Sequence, residues 1–221
     1  MLTTGGAETV LYSFGASSVD AVSPGRLVLG PGGNLYGITA DGGAYGKGTL
    51  FAVTPVGTES ILYSFGASTV DGASPNSLLL GFYDGNFYGT TLSGGAYGDG
   101  SVFKITPAGV ETILYSFGAS TSDGQSPSNL LQASNGNLYG TTLSGGNFGG
   151  GTLFEVTPTG TMTMLYASFG FFSTGSGCPS GLDPPNGAGP LGMTLSSDSV
   201  FYGFTGGGAC YLDGVIFDLA P

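Results

Sequence analysis

The sequence predicts an all-β fold: a four-bladed β-propeller of four four-stranded antiparallel blades, its ring closed by an N-terminal strand pairing with a C-terminal strand. Three observations predict it. A unit of about 51 residues occurs four times. The spacings from strand B to C and from C to D are constant to the residue. The two chain ends carry complementary parts of one unit. Repeats of this length mark solenoids, propellers or arrays, and constant spacing with complementary ends selects the propeller.

Each unit holds four strand signals. Strand A follows a Pro: Pro24–Leu29, Pro75–Leu80, Pro127–Gln132 and Pro190–Leu195. Strand B is built on Asn-Leu-Tyr-Gly: Asn34–Thr39, Asn86–Thr91, Asn137–Thr142 and Val200–Thr205. Strand C is built on Gly-Thr-Leu-Phe: Gly48–Thr54, Gly100–Thr106, Gly151–Thr157 and Gly214–Ala220. Strand D is built on Leu-Tyr-Ser-Phe: Glu8–Phe14, Glu59–Phe65, Glu111–Phe117 and, loosely, Thr161–Phe169. All four are short, rich in β-branched and aromatic residues, and bounded by Gly, Pro, Asn or Asp. Gly32-Gly33, Asp84-Gly85 and Asn135-Gly136 turn A into B, because these dipeptides accept positive φ. Thr-Pro-x-Gly, at Thr54–Gly57 and Thr106–Gly109, turns C into D.

Fifteen residues separate the B-strand Tyr from the C-strand Phe in every copy: Tyr36 to Phe51, Tyr88 to Phe103, Tyr139 to Phe154 and Tyr202 to Phe217. Twelve separate that Phe from the D-strand Tyr: Phe51 to Tyr63, Phe103 to Tyr115 and Phe154 to Tyr166. The chain opens on a D strand with no C strand before it and closes on a C strand with no D strand after it. Pairing 8–14 with 214–219 closes a ring and protects both edges. The chain thus reads as a single domain, 1–221, with blades at 24–65, 75–117, 126–169, and 188–221 completed by 8–14.

Composition narrows the function. Gly fills 45 positions, a fraction that elsewhere accompanies disorder, but 15 Phe and 12 Tyr at fixed spacing supply the apolar surface that disordered chains lack. Three basic residues, Arg26, Lys47 and Lys104, stand against fourteen acidic ones, a net charge of −11. That excludes nucleic acid as a partner, since no basic patch can release counterions. No apolar run approaches the ~20 residues of a membrane span, so no membrane insertion is expected. The absence of His removes the commonest general base and metal ligand. No Ser-His-Asp or Cys-His arrangement is possible, and no Cys/His zinc spacing occurs. Low charge, abundant Gly, Ser and Thr, and two Cys point to an extracellular or cell-surface location.

Asn-Leu-Tyr-Gly-Thr-Thr, then Gly-Gly, then Gly-Thr-Leu-Phe-x-x-Thr-Pro, then Leu-Tyr-Ser-Phe resembles the GloVer (Gloeobacter–Verrucomicrobia) tandem repeat of bacterial secreted and surface proteins. The resemblance covers about 5–221 and weakens in copy four between Phe169 and Pro190. It implies a secreted or surface-attached, propeller-like protein and assigns no activity.

In a four-stranded meander the B-to-C and D-to-A loops share one face. Nine residues after each B-strand Tyr stands an aromatic in a Gly-rich loop: Tyr45, Tyr97, Phe148 and Tyr211. Such a ring set suits stacking on sugar rings or a protein partner; equally, it can fold over the blades as lids on the core. Four residues before each strand-A Pro stands Asp20, Asp71, Asp123 or, in copy four, Asn186. No cofactor is expected. Ca²⁺ is the one ion an acidic ring suits, although Asp before Gly-x-Ser-Pro is also an ordinary turn residue. Copy four carries the one long insertion: twenty-four residues from Tyr166 to Pro190, against twelve from Tyr63 to Pro75. Cys178 lies in it and Cys210 in the B-to-C loop beside Tyr211, both flanking blade four, so a Cys178–Cys210 disulfide is expected. The leading functional expectation is a secreted or cell-surface non-enzymatic module whose loop face binds glycan or protein. The alternatives are a structural subunit self-associating into an extracellular filament or surface layer, and a carbohydrate-active enzyme using Asp and Tyr.

Overall fold

The computed structural model describes residue 6 and residues 8–17, 19–167, 187–196, 200–208 and 216–219. Outside residues 8–14 strands occur at the segments the sequence predicts, and no α-helix is found among the described residues. The first sheet is β1 (Ala21–Leu29), β2 (Leu35–Gly42), β3 (Thr49–Val53) and β4 (Glu59–Ser64). The second is β5 (Gly72–Leu80), β6 (Phe87–Gly94), β7 (Ser101–Ile105) and β8 (Glu111–Ser116). The third is β9 (Gly124–Gln132), β10 (Leu138–Gly145), β11 (Leu153–Val156) and β12 (Met162–Tyr166). The fourth is β13 (Gly187–Leu195), β14 (Phe201–Gly208) and β15 (Ile216–Leu219). Strand order follows chain order in every sheet, and every neighbouring pair is antiparallel.

Three sheets therefore have the four strands expected, and the fourth has three among the described residues. Residues 8–14 form no strand, apart from a one-residue bridge at Glu8. Extensive packing between sheets runs first to second, second to third and third to fourth, through strands A and B.

Local chemistry explains the repeat. Each B strand carries a Gly facing the C-strand Phe; a Cβ on Gly89 would run into the Phe103 ring and the Ser77 carbonyl. The Leu-Tyr-Gly signature is thus a packing requirement, with fully buried Phe51, Phe103 and Phe154 filling the space that the glycines leave. At the base of the first three B-to-C loops two buried hydroxyls pair: Thr39 with Thr49 at 2.8 Å, Thr91 with Ser101 at 2.9 Å, and Thr142 with Thr152 at 2.9 Å. Each B-strand Thr also accepts a backbone N–H and donates to a carbonyl two residues on, so these buried polar groups are satisfied.

Strand A begins earlier than its Pro. It starts at Ala21, Gly72, Gly124 or Gly187 and bends at the residue before Pro. Ser23, Ser74 and Ser126 there have φ of 60°, 54° and 52°, the left-handed region that non-Gly residues avoid. The bend is held by the preceding blade. Ser74 N–H donates to the Lys47 carbonyl at 2.9 Å, Ser126 N–H to that of Asp99 at 2.8 Å, and Gly189 N–H to that of Gly150 at 2.8 Å. Aromatic pairs add a second link: Phe65 lies 5.0 Å from Phe103, and Phe117 lies 5.0 Å from Phe154.

Residues 8–14 repeat these links toward the first sheet. Phe14 stacks edge-on against Phe51 at 4.9 Å, and Leu11, Tyr12 and Phe14 pack on the Ala21, Phe51 and Val53 cluster. The N-terminal segment therefore stands against blade one as a D strand stands against the following blade.

Candidate functional site

The B-to-C and D-to-A loops do share one face, and backbone bonds lock them together. Gly95 N–H donates to the Asp71 carbonyl and Gly146 N–H to that of Asp123, both at 2.8 Å. Phe65 N–H donates to the Gly48 carbonyl at 3.0 Å, and Phe117 N–H to that of Gly100 at 2.9 Å. Ser64 and Ser116 accept the Ala44 and Ala96 amides at the loop tips. The tip aromatics stand on this frame and point outward: Tyr45 is 53% exposed, Tyr97 59% and Phe148 61%. They are not lids on the core, because the core beneath is already closed by Leu50, Phe65, Phe103 and Phe117. Tyr211 lies outside the described residues.

The ring of Asp residues faces inward. Asp20 is buried, and its carboxylate accepts the amides of Gly15 at 2.7 Å, Ala16 at 2.8 Å and Ala21 at 2.8 Å, and the Tyr12 hydroxyl at 3.2 Å. Asp123 repeats the set with Gly118, Ala119, Gly124 and Tyr115. Burial would raise the Asp20 carboxyl, but the three amides and the tyrosine outweigh it and hold it below the ordinary carboxylate range. Asp20 and Asp123 tie the D-to-A loop to the D strand before it and the A strand after it, the turn role that the sequence allowed. Each oxygen of Asp20 accepts two hydrogen bonds, and no cluster of three or more metal-ligating side chains forms among the described residues. Asn186, Cys178 and Cys210 lie outside the described residues, and so does the expected disulfide.

Asp71 differs, and it belongs to a network that the sequence reading missed. The Tyr63 hydroxyl lies 3.0 Å from Asp71 Oδ2 and 2.8 Å from Glu111 Oε2 of the next blade. Asp71 Oδ1 and Glu111 Oε1 are buried without a hydrogen-bond partner. One phenol has one proton, so two carboxylates cannot both accept from it. The two contacts of the phenol are compatible when Glu111 is protonated and donates to Tyr63, which donates to Asp71. Burial first, then the Asp71 charge, pushes the Glu111 carboxyl up to about 7 against the Tyr63 hydrogen bond. Glu59 stands in the same place against Tyr12 and is raised as well, chiefly by burial and then by Asp20. Copy three has Met162 there, packed with Tyr115 on one cluster. Glu and Tyr recur four apart in strand D, but that spacing does not show that the Tyr meets the Glu of the next blade.

On the opposite face, the second blade's A-to-B turn exposes Phe82 (79%) and Tyr83 (67%). Tyr83 hydroxyl donates to the Ser134 carbonyl of the third blade at 2.6 Å, and Phe82 N–H donates to Gln132 Oε1 at 2.8 Å.

The profile of the Gloeobacter/Verrucomicrobia repeat matches residues 1–182. The chain belongs to that repeat family. The match ends inside the copy-four insertion, where the resemblance weakens. No curated protein matches the chain in sequence. Among solved structures, the chain is similar to the extracellular domain of a candidate one-component system from B. thetaiotaomicron, with TM-score 0.53, 13% identity, and coverage of 88% of this chain and 21% of that one. It is similar to the extracellular domain of a candidate hybrid two-component system from the same organism, with TM-score 0.54, 12% identity, and coverage of 87% and 21%. It is also similar to a candidate gluconolactonase, with TM-score 0.51, 15% identity, and coverage of 90% and 64%. The chain thus spans about a fifth of the two extracellular domains. At these identities the likeness is one of fold. No helix among the described residues is long and apolar enough to cross a membrane.

Proposed function

We propose that this repeat protein is a secreted or cell-surface binding module, non-enzymatic, whose B-to-C loop tips present Tyr45, Tyr97, Phe148 and Tyr211 to a glycan or protein partner. The observation that carries the reading is that the three described rings are each more than half exposed on loops fixed by backbone bonds. Rigid, exposed aromatic rings supply contact area without ordering entropy on binding. The extracellular setting of two fold relatives supports the location.

The reading includes one closed domain. Residues 8–14 complete blade four as its D strand within the same chain. The Phe14–Phe51 stack and the Tyr12–Asp20 bond support it. So does Ser23, which holds the left-handed bend that Ser74 and Ser126 hold against a preceding blade.

The test is the triple variant Tyr45→Ala, Tyr97→Ala, Phe148→Ala, measured on glycan arrays and by pull-down from the native cell envelope. Expected is loss of the wild-type partner with an unchanged melting temperature. Partner binding equal to wild type would refute the loop face.

A further inference from the structure

The turn face carries a cleft of about 410 Å³ between blades two and three, lined by Tyr83, Asp84, Tyr88, Gln132, Asn135 and Pro158. It lies at the opposite strand ends from the loop tips, so it is separate from the face proposed above. Its residues depart from the repeat. The first blade turns A into B through Pro31-Gly32-Gly33, and the third through Ser134-Asn135-Gly136. The second alone among the described turns places two large aromatic residues there. Phe82 and Tyr83 are exposed and absent from the core clusters, so folding of their own blade does not account for them.

The walls are built. Tyr83 is pinned at its hydroxyl by the Ser134 carbonyl, and its ring lies over Gly136, where an added Cβ would stand 3.7 Å away. Gln132 is fixed from both ends, accepting the Phe82 amide and donating to the Gly136 carbonyl at 3.0 Å. Asp84 Oδ2 accepts the Tyr88 hydroxyl and the Asn86 side-chain amide, each at 2.7 Å, and Oδ1 accepts the Asn86 N–H at 3.1 Å. Asn135 donates one of its two amide protons to the Tyr139 hydroxyl at 2.9 Å, so a second remains. The fixed Tyr83 ring beside a carboxylate and carboxamides, in a cleft of this volume, matches a sugar's apolar ring face and its ring of hydroxyls.

We infer that this cleft is a second binding site, taking a neutral saccharide that stacks on Tyr83 and hydrogen-bonds to Asp84 and Asn135. The carboxylate accepts from sugar hydroxyls, and the Asn135 amide donates to them. Nothing in the lining is cationic, so acidic sugars are disfavoured. The Asp84 carboxyl is held below the ordinary range because the Tyr88 and Asn86 bonds outweigh burial, so it is an acceptor at neutral pH.

The experiment is calorimetry and affinity electrophoresis of the full chain with cellohexaose, xylohexaose, laminarihexaose and maltohexaose. Expected is binding of at least one probe, with chemical-shift changes at the Gln132 and Gly136 amides. The double variant Phe82→Ala, Tyr83→Ala should weaken that binding at least tenfold. Tyr83→Phe, which keeps the ring, should stay within about threefold, and so should Tyr45→Ala with Tyr97→Ala on the other face. Binding by none of the probes at millimolar concentration overturns the inference. So does wild-type affinity in the Phe82 and Tyr83 variant, or shifts confined to the loop-tip amides. Loss in the loop-tip variant alone would support the loop face and overturn this cleft.

Discussion

Glu111→Gln should remove a pH dependence of stability that the native chain carries between blades one and two. Glu111 has its folded pKa raised from 4.5 to about 7. Between those values the folded state holds a proton that the unfolded state has released, so stability falls as pH rises. The contribution is fully present below about 4.5 and is lost as pH passes through about 7. A shift of this size corresponds to a ceiling of about 3.4 kcal/mol at 1.36 kcal/mol per unit. Glu111 is only partly buried, and solvent screening reduces the expected loss to about 1–2 kcal/mol. Asp20 and Asp84 are lowered instead, so their contributions disappear as pH falls, below the window of interest. The assay is urea unfolding followed by tyrosine fluorescence, suitable because the chain has no Trp, at half-unit steps from pH 5 to 8. Because Glu59 is raised in the same direction, the variant is also made in a Glu59→Gln background. Native protein should lose stability across the window, Glu111→Gln should lose less, and the double variant should be flat. A flat native profile, or an undiminished slope in the double variant, would refute the proton relay through Tyr63.

Three further outcomes are expected. Gly89→Ala should lose about 2–3 kcal/mol in denaturant unfolding, because its Cβ meets the Phe103 ring and the Ser77 carbonyl with no room to relax; a loss below about 0.5 kcal/mol would contradict the packing account. Deleting residues 1–14 should lower the melting temperature and promote association, since it removes Phe14 from Phe51 and exposes an edge; melting like the full chain would sink closure, and a full chain that is a polymer in native mass measurement would show strand exchange between chains instead. Thiol titration of denatured, unreduced protein should find none free, reflecting a Cys178–Cys210 bridge that closes about 32 residues and stabilises by about 3–4 kcal/mol; two reactive thiols would end that expectation.

The sequence by itself determined the strands, their order and the repeat family, because those features are local. A strand needs its own alternation and its own turn residues, and the fifteen- and twelve-residue spacings fix which strands pair. The outward loop-tip aromatics were placed by the same spacing, although whether they cover the core or face solvent depends on what else fills the blade top. Leu50, Phe65 and their equivalents fill it, which decided the question. Tertiary structure decided everything that passes between blades. Tyr63 meets Glu111 forty-eight positions away, Phe82 meets Gln132 at fifty, and Tyr83 meets Ser134 at fifty-one. Nothing local signals these pairs, because they arise where one repeat's turn or D strand rests on the next. Closure of the D-to-A loop turned the Asp ring inward. In the sequence those acids stand at a constant place before each Pro, but only the folded D-to-A loop brings the amides of Gly15 and Ala16, or Gly66 and Ala67, onto one carboxylate. An extended chain cannot hold two consecutive N–H groups against one oxygen, so the role of these residues became visible only with the loop closed around them.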